Sequence, residues 1–155
     1  MPTPVQGLHV PLFERLAAPD PWEPAETAPL RVLDGEALLR SVRREVEDLL
    51  NTRCTLRWAE LEHRRRTTLE YGLPDVTGMA PGDPGDRREI ATRIVAALAA
   101  YEPRLGQPRA TVEAVPGRPR ELRVHIEGTL VRHTHPAPVT FTVTVGGPPA
   151  DAEAP

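Results

Sequence analysis

The spacing of proline constrains this chain more than any other feature. Proline locks its own φ, lacks an amide hydrogen, breaks helix interiors and is excluded from central strands. Nineteen are present, seven of them within residues 1–30, and none falls in 31–73, 85–102 or 120–135. The proline-free windows are the expected folded elements. An extended, proline-rich arm over residues 1–30 precedes them, and the small polar tail over 147–155 has a composition expected to be disordered. One domain, residues 31–146, is expected between the two.

Within that domain the apolar period changes once. Leu38, Val42, Val46 and Leu49/Leu50 repeat at spacings of four and three, which predicts a helix starting at an Asp34 cap and stopping near Asn51. Trp58, Leu61 and Leu69 predict a shorter second helix within 56–70, ended by Gly72 and Pro74. A third is expected to start at Asp86, with Glu89 completing a capping box and Ile90, Ile94, Val95 and Leu98 facing inward. After Pro108 the period becomes two. Strands are expected at 110–115, 120–131 and 139–145, with a turn at Pro116–Pro119. Helices followed by an antiparallel meander give an α+β fold, the N-terminal helices packed on one face of a small sheet.

Composition removes several function classes. Nineteen basic against 22 acidic residues leave a net charge of −3, unlike a nucleic-acid binder. The one cysteine, Cys54, makes no internal disulfide possible and fits a reducing compartment. No apolar run has spanning length, and MPTPVQGLHV lacks the charged and apolar regions of a secretory signal, so a cytoplasmic protein without membrane insertion is expected.

Few side chains form a chemical constellation. His133 and His135 are two apart near a strand end, with only His125 as a third ligand candidate, so a solvated hairpin is expected and no metal. Three adjacent arginines, Arg64 to Arg66, point in different directions on a helix, which favours a solvated or interface-facing surface over a phosphate site. Nucleotide, redox and hydrolase signatures are absent, so no cofactor and no catalytic residue is expected. Glu102 stands apart from the surface carboxylates, because Tyr101, Pro103 and Leu105 flank it. At positions i and i+2 about a proline, Glu102 and Arg104 are expected to project apart, toward partners rather than each other.

Four segments carry a family resemblance: Leu12–Leu16 (LFERL), Ser41–Arg53 (SVRREVEDLLNTR), Tyr71-Gly72-Leu73-Pro74-Asp75, and Tyr101–Leu105 with its Glu102-Pro103-Arg104 signature. In this order and spacing they resemble the TssE family of type VI secretion baseplate subunits, itself similar to the "gene 25 lysozyme-like" small wedge proteins of contractile tails. The resemblance covers about residues 8–145. It departs at Tyr101 where phenylalanine is commoner, at Glu70 where asparagine is frequent, and at Cys54 where arginine is usual.

The resemblance implies a structural, non-catalytic subunit of a cytoplasmic baseplate at the inner face of the membrane. It would join TssF–TssG-like wedge proteins, through Glu102, Pro103 and Arg104, to the first sheath ring and other baseplate components. A related phage tail or contractile injection particle is the alternative machine, and a lysozyme-like glycoside hydrolase the alternative class. The sheath subunit is expected at a strand edge formed by Val139, Phe141, Thr142 and Val143. That strand carries no charge to guard it, although an internal position would explain the same composition. The turn of Leu8, Leu12, Phe13 and Leu16 is too short to be stable alone, so it needs either the domain's own helices or a wedge partner to cover it.

Overall fold

The structure, a computed structural model, describes residues 8–9, 32–33, 35–131 and 136–147. Two short antiparallel strands come first, β1 (Leu8–His9) and β2 (Val32–Leu33), with Leu8 opposite Leu33. Leu12, Phe13 and Leu16 lie outside the described residues, as does the tail from residue 148.

Helix α1 (Gly35–Asn51) buries Leu38, Val42, Val46, Leu49 and Leu50, the stripe its sequence period predicts. Asp34, the expected cap, falls outside the described residues. At the other end Asn51 does more than stop the helix. Its amide donates to the carbonyls of Glu47 (2.9 Å) and Thr144 (3.1 Å), and its oxygen accepts from the Gly146 amide (3.0 Å).

The helix expected within 56–70 is a single turn, α2 (Trp58–Leu61), followed by a 3₁₀ turn at Thr68–Glu70. Past Leu61 no apolar stripe continues, and Leu69, assigned to a buried face by its spacing, is 83% exposed. Thr67 instead turns its hydroxyl onto the Leu69 amide and caps the 3₁₀ turn. The Arg64–Arg66 run thus lies in a loop, where Arg64 pairs with Glu70 at 3.5 Å.

Helix α3 (Pro84–Tyr101) starts two residues earlier than expected. Asp83, not Asp86, is the cap: its carboxylate accepts from the amides of Gly85 (2.7 Å) and Asp86 (3.0 Å), with Pro84 in the first turn, where its missing N–H is no loss. Asp86 accepts from the Ala80 amide, and Glu89 pairs with Arg93 rather than closing a capping box.

The sheet is an antiparallel meander of β3 (Leu105–Val115), β4 (Arg118–Leu130) and β5 (Ala137–Val145), in that order. The first strand begins five residues before its predicted start, because an irregularity between Gly106 and Arg109 accommodates Pro108, with Gln107 at φ +50°. Val112, Leu122, Val124, Ile126, Leu130, Phe141, Val143 and Val145 make one buried face. Leu38 to Leu50 of α1 and Ile90 to Leu98 of α3 join it in one core, so the α+β layering with helices on one face is present. The other face is a polar lattice in which Arg109 opposes Glu127, Glu113 opposes Arg123, and His125 bonds Thr142. No helix among the described residues is long and apolar enough to cross a membrane.

Candidate interaction site

The chain leaves α3 at Glu102, whose amide still donates to the Leu98 carbonyl (2.9 Å) while its own backbone has turned to φ −118°, ψ 76°. Pro103 then enforces a corner. It closes through Leu105 N–H to Glu102 O (3.1 Å) and joins the end of β4 through Val131 N–H to Arg104 O (2.8 Å). Backbone bonds and one proline thus set the course of the chain through the corner.

Its charged side chains contradict the expectation that they project apart. Arg104 grips Glu102 with two parallel bonds, Nε to Oε1 (2.7 Å) and Nη2 to Oε2 (2.6 Å), and the Arg104 amide adds a third to Oε1 (3.1 Å). The spacing argument assumed a helix. Outside one, the turn at Pro103 brings the i and i+2 side chains to the same side. Arg104 also reaches α1, donating Nη1–H to Ser41 Oγ (3.1 Å) with Glu45 3.9 Å away. Glu102 is 3% exposed and the Arg104 side chain 17%, while Pro103 faces solvent. Such a bidentate pair is among the stronger charge-assisted contacts available to a protein.

Two tyrosines border this corner. Tyr71 and Tyr101 meet edge to face, with centroids 5.2 Å apart, and Tyr101 donates its hydroxyl to the Thr67 carbonyl (2.8 Å). Burial, followed by the negative charges of Glu45, Asp48 and Glu102, pushes the Tyr71 phenol up from its ordinary value. Burial dominates the same upward shift at Tyr101. The contacts of Ser41 and Glu45 with this corner, and of the two motif tyrosines with each other, were not read from sequence. The one available signal was Ser41, a polar residue three positions after Leu38 on an apolar helix face.

The Tyr71–Asp75 motif is a strut. Leu73 exchanges backbone bonds with the segment after α1: Leu73 N–H to Thr52 O (2.8 Å) and Cys54 N–H to Leu73 O (2.9 Å). Gly72 makes that approach possible, at φ +111° and with a hypothetical Cβ only 2.4 Å from Thr52 O. Leu73 and Pro74 are buried, and Asp75 pairs with Arg53 while its carbonyl accepts from Arg93 of α3 (3.0 Å). The carboxyl of Asp75 lies below its ordinary range, chiefly through bonds from the Thr77 amide and hydroxyl.

Among the described residues β5 is an edge strand, with β4 its one strand neighbour. Of the residues assigned to the edge, Phe141 (8% exposed) and Val143 (1%) point into the core and Val139 packs against it, so their side chains present nothing outward. Thr142 faces the polar side, its hydroxyl 3.0 Å from His125 Nδ1. The Asn51 bonds to Thr144 O and Gly146 N show that the even-numbered residues aim their backbone groups away from β4. By strand period the amides and carbonyls of Thr140 and Thr142 lie on that outer edge.

His133 and His135 lie outside the described residues, and among those described no group of three His, Cys, Asp or Glu is placed to hold a metal. His125 instead sits between Thr142 and Glu113, 3.3 Å from the latter.

A family model described as "Baseplate wedge protein gp25" matches residues 36–135, a span that contains all but the first residue of α1, the Tyr71–Asp75 strut and the Glu102 corner and ends ahead of β5. A solved chain from "The baseplate complex from the type VI secretion system" is similar at 24% identity and a TM-score of 0.48, over 71% of this chain and 95% of that one. Comparison with curated proteins gives no match.

Proposed function

Since the chain belongs to the baseplate wedge protein gp25 family, and is thereby a structural baseplate component, we propose that it links a TssF–TssG-like wedge to the first sheath ring of a type VI secretion system. The wedge docks on the corner. Pro103 and the exposed margin of Arg104 make the contact, while the buried Glu102 fixes the guanidinium in place. The sheath subunit adds a strand to β5, and the assembly stands at the cytoplasmic face of the membrane.

One observation carries this reading: among the described residues no strand pairs with the outer edge of β5, which Asn51 covers only at Thr144 and Gly146. Residues 137–145 carry no charge, and Pro138 is the only proline, at the start of the strand. Proteins normally blunt such an edge. The opposite edge strand, β3, does so with Pro108 and its irregular register. Backbone pairing by an incoming strand supplies partners for the Thr140 and Thr142 edge groups. A non-catalytic role is supported by Glu102, both of whose carboxylate oxygens are occupied by Arg104 in a site closed to substrate.

Thr142→Pro tests the sheath half of the proposal. Proline at 142 removes an edge amide without removing a bond to β4, so the domain keeps its ladder. Baseplates carrying it should assemble with the wedge yet fail to nucleate sheath. Normal sheath polymerisation on those baseplates overturns the assignment of β5 as the docking edge.

A further inference from the structure

An open groove of ≈ 580 Å³ lies between the segment after α1 and α3. Arg53, Arg57, Trp58, Asp75 and Arg93 line it. In a chain of net charge −3 this is a local reversal: three arginines face one carboxylate. That carboxylate, Asp75, is held by Arg53, and Thr77 donates to it twice. Arg93 shares Glu89 through Nη2 and donates Nη1–H to the Asp75 carbonyl. Arg57 is exposed, and among the described residues its guanidinium has neither an ion pair nor an acceptor.

Two buried donors lack acceptors, Arg93 Nε in the groove's lining and Arg66 Nη1 beside it. Both guanidinium groups lie over the Trp58 ring, at 5.7 Å for Arg93 and 5.8 Å for Arg66. A ring face attracts a cation but does not replace a lone pair for an N–H taken out of water, and an unmet buried donor marks an absent partner. The groove thus combines excess positive charge, an unmet donor and an aromatic platform.

We propose that this groove binds an acidic segment of a partner protein, one glutamate or aspartate carboxylate pairing with the exposed Arg57 and with the Arg93 guanidinium while the adjoining chain lies along the edge of Trp58. The proposal rests on the reading of the chain as an assembly subunit and adds a contact separate from both the corner and β5. Arginine suits it because a guanidinium presents several fixed donors to a carboxylate, and stacking on an indole leaves its edge free to donate.

The test uses the isolated full chain and requires neither wedge nor sheath, so its outcome is independent of the β5 reading. With Trp22→Phe, Trp58 is the sole indole and reports the groove by its fluorescence. Titration with an acetylated, amidated hexaglutamate should give a saturable change that weakens with added salt. Arg57→Ala and Arg93→Lys, the second keeping the charge but losing the planar fork, should each weaken it about tenfold or more. Hexalysine should give no change. Absence of a saturable response overturns the proposal, whether Trp58 alone suffices for Arg93 or residues of this chain already fill the groove. So does equal binding by both variants, or a stronger response to inorganic phosphate or a single-stranded oligonucleotide. Because Arg57 is exposed, its variant remains interpretable even if Arg93→Lys disturbs packing.

Discussion

Arg104 and Glu102 form a side-on pair across a single proline, both carboxylate oxygens engaged at 2.6–2.7 Å, with Ser41 of α1 taking a further guanidinium proton. The pair therefore belongs to the domain itself. It couples the end of α3 to α1 and sets the angle at which β3 departs.

Removing the acid should be felt by the isolated protein. Glu102→Gln leaves a largely buried guanidinium without its main counter-charge, which costs about 3–5 kcal/mol in comparable buried pairs. Urea unfolding of the monomer reads this directly. A loss below about 0.5 kcal/mol would place the role of Glu102 in partner binding alone. Arg104→Lys keeps a cation but loses the fork, and should reduce both stability and co-purification with wedge proteins.

Gly72→Ala should be one of the most damaging small substitutions. At φ +111° the new Cβ meets the Thr52 carbonyl, so the strut must move or the Leu73 bonds must break. Backbone strain of this kind costs on the order of 1–3 kcal/mol. Gly78→Ala, with nothing within 4 Å of its Cβ position, is the control and should be near neutral in thermal melts.

Glu70 predicts part of the acid limb of stability. Its carboxyl lies below the ordinary glutamate range, first through the Thr67 hydroxyl (2.6 Å), then the Thr67 amide (2.7 Å). A depressed native value stabilises the fold at pH above the unfolded-state value, and that contribution is lost as pH falls through the native one. Thr67→Val removes the hydroxyl donor and should flatten the decline of melting temperature with acidification. An unchanged acid limb would show that Glu70 contributes little to it.

The sequence made the regular parts of this fold legible for a physical reason. The stripes of α1 and α3 and the alternation of β4 and β5 are periodic, and periodicity survives without knowledge of tertiary context. The cap of α3 was misplaced by three residues because Asp83 and Asp86 are both good caps, and only the position of Pro84 separates them. The region 56–70 was misread because Leu69 holds helical spacing yet sits on a turn fixed by Thr67 and Glu70. Two of the departures from the resembled family converge here: Tyr101 can donate to Thr67 where phenylalanine cannot, and Glu70 accepts from the same residue. The Glu102–Arg104 pair was hidden because residue spacing decides which side chains face each other only once the backbone conformation is known. The Arg53–Trp58–Arg93 groove joins residues up to forty positions apart, beyond the reach of any local pattern.

The central claim is that the outer edge of β5 receives the sheath. Hydrogen exchange at the Thr140 and Thr142 amides tests it most directly, because backbone pairing is what the claim requires. Both amides should exchange rapidly in the isolated protein and in the protein–wedge complex, then become protected once sheath subunits are added. Amides already protected before sheath arrives, or still exchanging freely in a completed baseplate–sheath assembly, would contradict the account.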